Sequence, residues 1–183
     1  MVKIISDSTC DLSKDLLEKY DVEILPLHVI LDDRDYQDGL TITPDEIYCW
    51  SDASKQTPKT SAISVDEAAE VFAPLIKEGH EVVCFAISGS MSSTVNSMRM
   101  AAEMLNAEDR ITVIDSASLS TGVGLQVIEA AKMAKEGKSA KEIAAAIEAI
   151  KPLVRASFVV DTLTYLHRGG RVSTASAIVG NHV

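Results

Sequence analysis

The residues best equipped for chemistry in this chain are hydroxyls. The stretch SGSMSST at positions 88–94 carries a hydroxyl at five of its seven positions and directly follows the apolar run VVCFAI. Ser6-Asp7-Ser8-Thr9 and Asp115-Ser116-Ala117-Ser118 likewise follow short apolar runs, and Thr60-Ser61 adds a further pair. Hydroxyls and backbone amides without Lys or Arg suit one weak negative charge, such as a carboxylate. A triphosphate calls for a lysine and a glycine-rich cradle, and neither GxxxxGK[ST] nor GxGxxG is present. Ser92 is placed to donate a hydroxyl hydrogen bond, with Ser93 or Thr94 capping the helix that follows. Ser and Thr cap helices in many proteins, so a purely structural reading of the same letters stays open.

Other chemistries find weaker support. A nucleophilic Ser92 needs a base within reach and often a GxSxG elbow, but Gly89-Ser90-Met91-Ser92-Ser93 lacks the second glycine. His28, His80, His167 and His182 read as surface or packing residues. His167 and His182 have no spaced carboxylate or thiol partners for a metal. Asp32, Asp33 and Asp35 miss the glycine and distal glutamate of a calcium loop, so no metal site is expected. Cys10, Cys49 and Cys84 are an odd count without a CxxC pair, which fits a reducing compartment. Gly169-Gly170 can turn Arg171 back into a cleft, and a surface turn explains those letters equally well.

Such loops need strands before them and helices after them. The pattern predicts strands at 2–5, 81–87 and 111–115, each apolar enough to be buried on both faces. It predicts helices at 13–20, 94–105 and 120–136, the last ending at Gly137. Thr43-Pro44-Asp45-Glu46, Ser64-Val65-Asp66-Glu67 and Ser139-Ala140-Lys141-Glu142 each open a helix, the first two with capping-box spacing. The second of these should stop near Gly79 and the third before Pro152. Residues 23–31 read as one strand with an edge or bulge at Pro26, followed by a short strand near Tyr36. Residues 55–61 read as polar and irregular, and 156–161 as strand-like. This alternation implies an α/β fold: a mostly parallel, Rossmann-like sheet flanked by helices, plus the start of a second α/β domain. Residues 1–153 form the α/β domain and residues 154–183 the beginning of the second. In such sheets ligands sit beyond the carboxyl ends of the strands, where the hydroxyl loops fall.

The chain has 183 residues, 46% of them hydrophobic and 4% aromatic, so its core is built from aliphatic side chains. The formal charge of −10 argues against nucleic acid as a partner, because phosphate neutralisation needs clustered Lys and Arg. No apolar run reaches the roughly 18 residues of a membrane span, so no stable membrane insertion is expected. The start, MVKIISDSTCDL, lacks a signal-peptide pattern. A soluble, cytoplasmic protein is the expectation.

In order and spacing, Ser6 through Leu12, Pro26-Leu27, the YQDG turn at 36–39, Pro58-Lys59-Thr60-Ser61, residues 88–94, Asp115-Ser116 and LTYLHRGGRVS at 163–173 resemble the DegV family. These are bacterial fatty-acid-binding proteins of the EDD fold. The resemblance implies a long-chain fatty acid, such as palmitate, held in a tunnel between two domains. It implies that the carboxylate is presented to a separate fatty-acid kinase catalytic subunit, with no cofactor and no catalytic residues in the binding protein. By the same resemblance Thr60 and Ser92 match the two carboxylate-binding hydroxyls. Ser61, Asp7 and Ser93 fall where neighbours support that site, and Arg171 matches an arginine near the head group. Ser93 stands where the family usually has glycine.

The sequence ends at residue 183, where family members continue into the second domain with a further histidine. From that we expect a retained head-group site, weakened lipid affinity, and a homodimer through the apolar residues 158–160 and 175–179. The alternatives are a serine-dependent hydrolase or sugar-processing enzyme on the same scaffold, or an interaction module that binds no lipid.

Overall fold

Strand β1 (Val2–Asp7) is buried from Ile4 onward because it lies inside a parallel sheet covered on both faces. Its neighbours are β2 (Val22–Leu25) and β6 (Glu81–Ala86), and β7 (Ile111–Asp115) completes the order β2-β1-β6-β7. All three pairings are parallel, with Ile5 opposite Cys84 and Cys84 opposite Val113. In this computed structural model, residues 1–174 and residue 176 are described. Residues 175 and 177–183 lie outside that description, and with them His182 and most of the apolar stretch 175–179.

The strand period of two sends alternate side chains to opposite faces. Ile5, Val82, Cys84 and Ala86 join Phe72, Met98 and Ala101 in one core, under α3 (Val65–Lys77) and α4 (Thr94–Met104). Ile4, Val83, Phe85 and Ile114 join Val123, Val127, Ile143 and Ile147 in the other, under α5 (Thr121–Lys135) and α6 (Ala140–Ile150). Capping boxes at Ser64 and Ser139 fix where α3 and α6 begin, and α1 (Lys14–Tyr20) is capped by the Ser13 hydroxyl. These elements, residues 1–27 and 62–156, make one compact unit.

The expected strand over 23–31 is two strands in different sheets. Pro26 has no N–H to continue the β2 ladder, and β3 (His28–Leu31) starts a second, antiparallel sheet of order β4-β3-β5. Its other strands are β4 (Arg34–Gln37) and β5 (Lys59–Ser61). With α2 (Pro44–Ser54), opened by a Thr43 capping box, they bury Val29, Leu31 and Ile42 against Tyr36, Ile47 and Trp50. Strand β5 was not expected, since Lys59-Thr60-Ser61 is polar and exposed throughout. It forms through backbone pairing with β3, Thr60 opposite Val29.

The second compact unit groups His28–Ser61 with the described residues from Ser157 onward. Here the strand expected at 156–161 does not form. Phe158, Val159 and Val160 are exposed, Val159 at 98%, because β propensity without a neighbouring edge gives no ladder. The helix α7 (Thr164–Arg168) follows, and Gly170, at φ 75°, turns the chain after it.

Candidate functional site

The polar loops expected at strand ends do gather at the carboxyl edge of the parallel sheet, and two carboxylates organise them. Asp7, the last residue of β1, is buried. Its Oδ1 accepts from the Thr9 amide at 3.2 Å and the Thr9 hydroxyl at 2.6 Å, and its Oδ2 accepts from the Ile87 amide at 2.8 Å. Burial pushes the Asp7 carboxyl above the ordinary aspartate range, while the bonds from Thr9 and Ile87 pull it back. Ser8 Oγ accepts from the Leu27 amide at 3.1 Å, tying the same loop to the chain leaving β2.

The second carboxylate is Asp115, the last residue of β7. Its Oδ1 accepts from the Gly89 amide at 3.1 Å and from the Ala117 amide at 2.9 Å. The Ser88 amide donates to the Ser118 carbonyl at 2.9 Å, and the Ser88 carbonyl accepts from the Met91 and Ser92 amides. The chain from Ile87 to Ser92 is thus held at its amides by groups on both neighbouring strand ends. It delivers Ser92, half-buried, to the start of α4, where its Oγ lies 2.9 Å from Thr94 Oγ1 and accepts from the Thr94 amide at 3.3 Å. Ser93 occupies the cap position but is exposed and makes no side-chain capping bond, so Ser92 takes the hydroxyl role expected of Ser93 or Thr94.

Sequence reasoning named the Asp115-Ser116 stretch without a role for Asp115. Its partner lies 26 residues away, and no local pattern encodes that pairing. Gln126 was missed altogether. Fully buried in α5, it donates through Nε2 to the Ser116 carbonyl at 3.0 Å and the Gly122 carbonyl at 3.1 Å. A polar residue in the middle of an apolar helix face was the available signal.

Thr60, Ser61 and Arg171 belong to the second unit. Thr60 and Ser61 are exposed on β5, paired with Val29 and His28 of β3. Arg171 is exposed after α7. Its amide donates to the Leu166 carbonyl at 2.8 Å and its Nη1 to the Gly169 carbonyl at 2.6 Å, so the guanidinium folds against its own turn. Nearby, Arg168 Nη1 donates to the Thr57 hydroxyl at 3.0 Å.

The described histidines are engaged elsewhere: His28 Nδ1 with Asp35 at 2.9 Å, His80 Nε2 with Glu78 at 3.4 Å, and His167 Nδ1 with the Val172 carbonyl at 3.2 Å. Among the described residues no group of three or more His, Cys, Asp and Glu side chains could hold a metal ion. No helix among them is long and apolar enough to cross a membrane. Cys10 and Cys84 are buried, and burial pushes both thiols up.

The profile of one protein family, described as "uncharacterised protein, DegV family", matches residues 1–183. A DegV domain-containing protein from Clostridium acetobutylicum is 35% identical over 180 residues, 98% of this chain and 64% of the relative. Among solved structures, a fatty-acid-binding DegV family protein from Thermus thermophilus matches with a TM-score of 0.85 at 36% identity, over 98% of this chain and 63% of that one. A stearic-acid-binding protein from Eubacterium ventriosum matches with a TM-score of 0.84 at 38% identity, over 96% of this chain and 63% of that one. The chain therefore spans just under two thirds of the length of these relatives. The match over every described element and the identity to relatives of that name place this chain in the DegV family.

Proposed function

We propose that this protein binds a long-chain fatty acid, palmitate or a close homologue, and presents its carboxylate to a separate kinase subunit. The observation that carries the reading is that two relatives matched over nearly the whole chain bind fatty acids. The loop at 88–92 supports it, since a half-buried hydroxyl held at the carboxyl edge of a parallel sheet suits a carboxylate. Ser92 and Thr60 are the hydroxyls that receive the acid. Asp7 supports the first by holding Ile87, while Ser61 flanks the second and Ser93 borders the loop. Arg171 serves the head group or the kinase-coupled step. Residues from 154 onward supply the beginning of the lipid-tunnel domain, and apolar residues 158–160 are the proposed self-association surface. The protein works in the cytoplasm, needs no cofactor, and leaves phosphoryl transfer to its partner.

The binding energy comes from the acyl chain, at about 0.8 kcal/mol per enclosed CH₂, and the head group contributes selectivity. Titrating palmitate into the wild type, Ser92→Ala and Thr60→Ala tests this. Each substitution is expected to weaken binding by about tenfold, the size of a hydrogen bond to a charged acceptor. Unchanged affinity in both variants overturns the assignment.

A further inference from the structure

Asp115 stands outside the residues assigned above, and its geometry is specific. It ends β7, the strand beside β6, and one oxygen, Oδ1, receives both the Gly89 and the Ala117 amides. Its other oxygen faces Gly89: a Cβ built on that residue would lie 2.8 Å from Asp115 Oδ2, with no other atom closer than 3.6 Å. Gly89 has no positive φ. A methyl at position 89 would therefore displace the tip of the carboxylate, and no left-handed φ calls for glycine there.

We propose that Asp115 is a positioning residue for carboxylate recognition: it clamps Gly89 and thereby sets the turn that presents the Ser92 hydroxyl. This deepens, and rests on, the reading of Ser92 as a carboxylate-binding hydroxyl. The clamp acts through its acceptor oxygen. A single oxygen takes both amides, so a neutral side chain with the same oxygen can hold the turn. Removing that oxygen leaves both amides to water and frees the loop. The chain between Gly89 and Ser92 is short, and the Ser88 carbonyl that accepts from the Met91 and Ser92 amides moves with the clamped segment. Displacement at Gly89 is therefore transmitted to Ser92.

Three variants of the full chain separate this role from general destabilisation: Asp115→Ala removes the acceptor, Asp115→Asn keeps one, and Gly89→Ala pushes the carboxylate away from the other side. Each is titrated with palmitate and with hexadecanol, which has the same tail and no carboxylate. Asp115→Ala and Gly89→Ala are expected to lose about tenfold in palmitate affinity while hexadecanol binding stays as in the wild type. Asp115→Asn is expected to stay within about threefold of wild type, the spread that context imposes on one such bond. In the Asp115→Ala background the Gly89 methyl has room, so the double variant should lose no more than Asp115→Ala alone. Gly89 is exposed, which keeps that variant informative if Asp115→Ala folds poorly.

Palmitate selectivity that survives both Asp115→Ala and Gly89→Ala overturns the positioning role and leaves the functional reading standing. An equal loss for acid and alcohol also overturns it, because that marks a structural effect alone. A wild type that does not prefer palmitate to hexadecanol overturns the functional reading first, before any variant is measured, and the positioning role with it.

Discussion

Asp7 illustrates what a single buried carboxylate does at the edge of this sheet. Three donors, two from Thr9 and one from Ile87, satisfy it, yet burial outweighs them and its pKa lies above the ordinary range. The folded state therefore holds the Asp7 proton more tightly than the unfolded state. Its favourable contribution is complete below the ordinary aspartate range and is lost as pH rises through the raised value. Asp7→Asn removes that titration at the cost of an acceptor. In urea unfolding, the stability difference between variant and wild type should move in the variant's favour from acid to neutral pH. A difference independent of pH would show that Asp7 titrates normally. The thiols differ in a simpler way: Cys49 is exposed while Cys10 and Cys84 are buried. Alkylation of the native protein should modify Cys49 alone, because burial disfavours the reactive thiolate of the other two. Labelling of Cys84 without denaturant would contradict the packing described for β6.

At the scale of elements, close packing overrides local preference. Gly124 lies in α5, where alanine would ordinarily favour the helix by about 1 kcal/mol. A Cβ there would come within 2.7 Å of the Cys10 carbonyl oxygen, a backbone atom that cannot rotate aside. Overpacking costs about 1–3 kcal/mol, so Gly124→Ala should destabilise, by up to about 2 kcal/mol net, in equilibrium unfolding. A more stable variant would mean that α5 can shift away from residues 8–10. The same contrast explains what the sequence could reveal. The capping boxes at Thr43, Ser64 and Ser139 are written in adjacent letters, so those helix starts were legible, as were the buried strands with their long apolar runs. Lys59-Thr60-Ser61 has no apolar alternation, and its strand exists only because β3 offers a ladder. Residues 158–160 have the letters of a strand and no ladder to join. In the site, the hydroxyl loops were legible from composition and order. The Asp115–Gly89 bond was not, because it joins two loops through the fold of β6 and β7.

Across the whole molecule, the two compact units differ in how much they bury. The first has two cores on either side of its sheet, with Ile5, Phe72, Phe85, Val83 and Ile143 fully enclosed. Among the described residues, the second buries only Val29, Leu31 and Ile42 at its centre. Local opening should therefore cost less in the second unit, and hydrogen exchange should be faster in peptides from 28–61 than in β1 and β6. Equal protection would show that the two units unfold as one. The formal charge of −10 is carried by a chain whose proposed ligand is itself an anion, so recognition depends on local hydrogen-bond donors and not on a general attraction. The most direct test follows the ligand's own head group. Palmitate labelled with carbon-13 at the carboxyl carbon should show a shifted resonance when bound to the wild type. That shift should change in both Ser92→Ala and Thr60→Ala while the acyl chain remains bound. A carboxyl resonance identical in the wild type and both variants would place the head group elsewhere and contradict the account.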